Sequence, residues 1–102
     1  MARDRLISAR RGVLLRTLAA NYPHPLADLA FGLQTRVLYL GPAEKADQER
    51  PRDLAYLVER GLIRREESKV GAAVIVTWYL TAEGLFVVEG ATTDPGVEIA
   101  GG

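Results

Sequence analysis

Gly61 separates two chemically different stretches, and that placement constrains the fold more than any other feature of the chain. Before it, Leu54, Leu57 and Val58 recur at helical spacing. After it, Leu62 and Ile63 open an extended segment that turns polar from Arg64 to Ser68. A glycine in that position adopts the left-handed C′ conformation with no Cβ penalty, so it ends the helix and redirects the chain sharply. Ser68-Lys69-Val70-Gly71 then reads as a turn, and Ala73 to Leu80 as a strand of β-branched and aromatic residues. Thr81 reads as the N-cap of one short helical piece through Val88. Asp53 to Leu85 is thus helix, glycine stop, hairpin and capped helix.

Two further helices precede this stretch. Residues 3–21 place Leu6, Ile7, Val13, Leu14 and Leu18 on one face, with Arg3, Arg5, Arg11 and Arg16 mostly off it. Either Asp4 or Ser8 fits its N-cap, and Gly12 inside it predicts a bend or a later start. The prolines of Tyr22-Pro23-His24-Pro25 stiffen a loop. A second helix is expected from Pro25 to about Leu38, with Leu26, Leu29, Ala30, Leu33 and Val37 as its inward stripe. Gly41-Pro42 ends it, leaving Tyr39 and Leu40 as a last turn or a short extended piece. The third helix begins within Ala46–Pro51, with Asp47 as one N-cap candidate and Pro51 as an alternative first helical residue. The expectation is α+β: a winged helix-turn-helix of three helices, a two-stranded β-hairpin wing and a short C-terminal helix. Residues 1–89 form that domain, and 90–102 a tail that is flexible or packed on a partner.

Composition narrows the function classes. The 102 residues suit one domain of ordinary globular make-up, 48% hydrophobic and 25% charged. The absence of cysteine excludes disulfides, thiolate metal sites and cysteine nucleophiles, and fits a cytoplasmic setting. No apolar run approaches the ~20 residues that span a bilayer, and the N-terminus lacks the apolar core of a signal peptide. Net charge is zero, yet all 13 basic residues lie in 1–69 beside nine acidic ones, whereas 70–102 carries four acids and no Lys or Arg. One side of the domain is therefore more positive, a hint of a polyanion partner set against the alternative of a mixed, solvated surface.

Nothing in the chain points to catalysis. The one histidine, His24, lies between two prolines in a loop, and no GxSxG, Walker A or HExxH pattern occurs. Glu66 and Glu67 are strand neighbours that point to opposite faces. No catalytic residue, metal or cofactor is expected. The third helix is the candidate for reading nucleic acid. With Leu54, Leu57 and Val58 inward, Gln48, Arg52, Tyr56 and Glu59 lie opposite, and Gln48 and Arg52 are near the end that reads bases. Tyr56 could reach a phosphate or a thymine methyl, and Lys45 and Arg50 could hold phosphates. The bland alternative is the polar face that every surface helix has. In the hairpin, Arg64, Arg65 and Lys69 could touch the DNA backbone, partly offset by Glu66 and Glu67. Trp78 is expected in the core, in a row with Val74, Val76 and Leu80; Ile75, Thr77 and Tyr79 form a second row that needs a cover.

Arg52–Ile63 (RDLAYLVERGLI), the Leu80–Gly84 turn (LTAEG), Gly90 and Pro95-Gly96-Val97 together resemble small winged-helix proteins of Mu-like phages and prophages. More broadly they resemble winged-helix transcription regulators. The resemblance implies DNA-reading positions at Gln48, Arg52 and Tyr56 and no catalytic residues; the reading of the whole chain is a cytoplasmic homodimer that binds double-stranded DNA. The alternative in the same setting is a winged helix used as an interaction module for a phage or host protein.

Overall fold

A computed structural model of the chain describes residues 2–100, without the side chains of residues 2–4, 43, 44 and 46. The elements run α1 (Ala2–Ala19), β1 (Leu26–Ala27), α2 (Asp28–Gln34), a 3₁₀ turn (Arg36–Tyr39), α3 (Ala43–Glu59), β2 (Ile63–Val70), β3 (Ala73–Leu80) and α4 (Ala82–Val88). The class is α+β, with four α-helices and one antiparallel sheet of order β1-β3-β2. Among the described residues, no helix is long and apolar enough to cross a membrane.

The core gathers Leu14, Leu15 and Leu18 of α1, Phe31 of α2, and Leu54 and Leu57 of α3. Leu62, Ile63, Trp78, Leu80 and Val87 close it from the sheet and α4. Each such side chain contributes about 1.5–3 kcal/mol on burial. In α1 the inward row is Leu14, Leu15 and Leu18, while Leu6 and Val13 stay exposed. Leu14 and Leu18 face inward as expected; Leu6 and Val13 do not, and the tail packs beside Ser8 and Gly12 of the same helix. Of the two N-cap candidates, Ser8 sits inside α1 and the Asp4 side chain lies outside the described residues.

The second helix departs furthest from expectation. Leu26 and Ala27 are extended and pair with Trp78 and Thr77, so the helix starts only at Asp28 and gives way to the 3₁₀ turn at Arg36. Phe31 and Thr35 point inward, and Leu29, Leu33 and Val37 face outward. Two stripes compete in this segment, and Phe31, its bulkiest apolar residue, fills the core better than any aliphatic on the other stripe. Periodicity alone gives a spacing and cannot choose between two stripes.

α3 begins at Ala43, earlier than Ala46–Pro51, with Pro42 at the N-cap and no side-chain cap. Gly41, at φ 131°, makes the turn into it. Asp47 is therefore within the helix, and Pro51 lies inside it on the exposed side, where it donates no hydrogen bond. The helix ends as its glycine requires. Gly61 has φ 74°, its N–H reaches the Val58 carbonyl at 2.9 Å, and the Leu62 N–H reaches Leu57 at 2.9 Å, the paired bonds of a Schellman stop. The same device recurs after α4, where Gly90 and Ala91 bond back to Val87 and Phe86.

The hairpin registers Ile63 against Leu80 through Val70 against Ala73, so its turn is Gly71-Ala72. The turn sits later than the expected Ser68–Gly71 because glycine at the first central position, with φ 62°, closes a two-residue connection. Trp78 and Leu80 are buried, and the outer half of the hairpin extends past the core with Val70, Val74 and Ile75 exposed. Thr81 accepts a hydrogen bond from the Gly84 N–H at 3.0 Å and caps α4. At Gly84 a Cβ would fall 2.1 Å from the Leu62 carbonyl oxygen, so α4 packs on the α3 stop only because that side chain is missing.

Within residues 91–100, Asp94, Gly96, Glu98 and Ala100 bond to α1 and α3 of the same chain. The Glu98 N–H donates to the Ser8 carbonyl at 3.0 Å, and Arg16 donates to the carbonyl of Ala100. Gly12 explains the close approach: a Cβ there would lie 1.9 Å from the Glu98 carbonyl oxygen. That glycine clears a path for the tail, and α1 runs through it without interruption.

Candidate functional site

α3 is the element to which every candidate residue relates, and its two flanks differ in chemistry. Toward α1 it presents Asp53, 1% exposed. The Asp53 carboxylate accepts from Arg10 Nε at 2.9 Å, Arg11 Nε at 3.1 Å and the Tyr39 hydroxyl at 2.7 Å. Arg10 also pairs with Glu49 at 3.3 Å. Burial alone would lower the Arg10 pKa, but the bond to Asp53 together with the charges of Asp53 and Glu49 leaves it raised. Burial and the same carboxylate push the Tyr39 hydroxyl well above its ordinary value, so it stays a donor. This is a satisfied buried ionic cluster joining α1, the 3₁₀ turn and α3.

A second carboxylate ties down the tail. Asp94 is buried and accepts from the Tyr56 hydroxyl, from Arg60 Nε at 2.8 Å and from the Gly96 N–H at 2.9 Å. Burial would raise its pKa, yet these donors hold the carboxyl below the usual carboxylate range. Arg11 lies over the Tyr56 ring at 3.9 Å and donates to the Gly96 carbonyl. Tyr56 is therefore committed to the tail and does not share the open face of α3 with Gln48 and Arg52.

Toward the hairpin, α3 borders a trough of about 530 Å³. Its lining is Pro51, Leu54, Ala55 and Val58 from α3, with Val76 and Trp78 from β3. Asp28, Arg50, Glu59 and Arg65 edge it. Val58 was expected to face the core and instead stands exposed at the rim, because Gly61 turns the chain before β2 can cover it. Asp28 accepts from Trp78 Nε1 at 2.8 Å and from Arg50 at 2.9 Å. Burial would raise the Asp28 carboxyl; the Trp78 and Arg50 bonds prevail and lower it. Arg50 is thus spent inside the protein and is not presented to a phosphate.

Two of the three hairpin cations are likewise paired. Arg64 pairs with Glu66 at 3.3 Å and lies over the Tyr79 ring at 4.5 Å, while Arg65 pairs with Glu67 at 2.6 Å. Each pair is two residues apart on one face of β2. Lys69 is exposed near the tip, beside Val70. Of the sequence-derived candidates, the structure groups Lys45, Gln48 and Arg52. They are exposed and line a groove of about 490 Å³ against Leu6, Ile7, Arg10 and Arg11 of α1.

Asp53, Asp94, Arg10 and Arg11 escaped the sequence reading, which treated charge as surface. Asp53 had one legible sign: it shares the inward phase of Leu54 and Leu57. The burial of Asp94 had none, since its side-chain partners Arg60 and Tyr56 are 34 and 38 residues away. Among the described residues, no cluster of His, Asp or Glu is arranged to hold a metal. No protein-family model, curated protein or solved structure matches this chain. Function has to be argued from the site itself.

Proposed function

We propose that this chain is a winged-helix module that docks an apolar protein segment in the trough between α3 and the hairpin. On this reading α1, α2 and α3 are the three-helix core, β2 and β3 the wing, and α4 an addition that carries the tail. The order of elements and the sheet order β1-β3-β2 support it. The partner would be a phage or host protein, as the resemblance implies.

One observation carries the choice of partner. A DNA backbone gripped between α3 and the wing would lie along the trough, and that surface is apolar, with two carboxylates and two arginines at its edge. Phosphate contact needs cations released from other partners, whereas Arg50, Arg64 and Arg65 each hold a carboxylate. A trough of this size with an apolar floor and a few polar edge groups suits side chains of a helix or strand laid along it.

Duplex DNA is the second reading, favoured by Lys45, Gln48 and Arg52 standing together on the open side of α3. Two experiments on purified protein separate the readings. Peptide display should enrich sequences with apolar anchors, and their binding should be lost in Val58→Glu and kept in Arg52→Ala. Duplex DNA titrated across a salt series should show weak binding at low salt only. Failure to enrich any peptide, together with DNA affinity that falls steeply with salt and depends on Arg52, would reverse the choice.

A further inference from the structure

We infer that the outward face of α2 and the 3₁₀ turn is a homodimer interface, distinct from the trough and independent of what the trough binds. Leu29, Leu33, Val37 and Leu40 follow one another at helical spacing and are 76%, 63%, 69% and 73% exposed. Such values are ordinary for lysines and unusual for a consecutive aliphatic row. Together they leave roughly 450 Å² of apolar surface, within the ~300–600 Å² range of the largest patch on a monomer, which is often functional.

Two features select a second copy of the chain as the occupant. The first is area. An interface of standard size buries ~800 Å² per partner, and at the ~65% apolar fraction of homodimers that is about 500 Å², close to what the row offers. The second is charge. Between Leu26 and Pro42 the charged residues are Asp28 and Arg36, and Asp28 is taken up by Arg50 and Trp78. A nearly uncharged face gives a heterologous partner little to steer by, and the zero net charge of the chain adds no repulsion between copies. Phe31 and Thr35 anchor the same helix in the core from behind, which holds the row in place.

Sedimentation equilibrium of the wild-type chain should give a dimer at micromolar concentration, and Leu33→Glu or Val37→Glu should give a monomer with unchanged helix content. Because the chain has no cysteine, cross-linking supplies a check that does not depend on the glutamate variants folding. Leu33→Cys or Val37→Cys, oxidised mildly, should form a disulfide dimer on a non-reducing gel. Ala55→Cys, in the trough, should stay monomeric on a non-reducing gel. A monomeric wild type overturns the inference, and so does a dimer that survives Leu33→Glu or that cross-links through Ala55→Cys.

Discussion

The two flanks of α3 belong to one helix and have opposite characters. On the α1 side a buried carboxylate is surrounded by two arginines and a tyrosine, and every group there has a partner. On the hairpin side an apolar trough lies open between helix and strand. The first flank has its charge satisfied from within the chain and so serves to hold α1, α3 and the tail in register. The second has apolar surface that none of the described residues covers, and that asymmetry is why binding is assigned to it. Charge on a helix is a poor guide to which flank is functional when part of that charge, here Glu49, Arg50 and Asp53, is internally paired.

The sharpest break in this contrast should come from Asp53→Ala. It leaves Arg10, itself only 8% exposed, without its main acceptor. Removing one partner of a buried pair costs about 3–5 kcal/mol. At ~4–8 °C per kcal/mol for a domain of this size, thermal unfolding followed by circular dichroism should drop by at least about 12 °C. Gly12→Ala comes next. The added methyl meets the Glu98 carbonyl, so about 1–3 kcal/mol should be lost and limited proteolysis should cut within residues 91–100.

Asp94→Asn should cost about 1–2 kcal/mol by weakening a charge-assisted set of bonds. It should also change the pH profile. The Asp94 and Asp28 carboxyls are held below their ordinary values, so the stability they contribute is complete above the ordinary carboxylate range. It is lost as pH falls through the lowered folded values. Acid titration of Asp94→Asn should therefore show a shallower loss than wild type.

The hairpin flank should respond least in stability. Val58→Lys, and Glu66→Gln with Glu67→Gln, should each stay within about 0.5–1 kcal/mol of wild type. Their binding effects should diverge: Val58→Lys abolishes peptide binding, and the double glutamine variant keeps it while gaining DNA affinity at low salt, since Arg64 and Arg65 are released.

The stretch from Leu54 to Val88 was legible in the sequence because its signals are local. Gly61, the alternation through Trp78 and Leu80, and the Thr81 cap each act over a few residues. The second helix was misread because Leu29-Leu33-Val37 and Phe31-Thr35 offer two inward faces at one period, and only packing chooses between them. The start of α3 was misread because a helix can carry Pro51 inside once Gly41 and Pro42 have set it going. Of the binding face, Lys45, Gln48 and Arg52 were legible as an exposed group. The fates of Arg50, Tyr56, Arg64 and Arg65 were not, since Asp28 and Asp94 are distant in sequence from Arg50 and Tyr56, and since Glu66 and Glu67 were counted as net charge and not as partners.

Trp78 is the only tryptophan in the chain, and its indole N–H lies beside the trough. That makes one measurement the most direct: ¹H–¹⁵N NMR of the labelled protein titrated in parallel with a display-selected apolar peptide and with duplex DNA. The expected result is that the peptide shifts the Trp78 indole, Ala55 and Val58, while DNA moves little at moderate salt. The contradicting result is that DNA shifts Lys45, Gln48 and Arg52 in a salt-sensitive way while the peptide leaves the Trp78 indole in place.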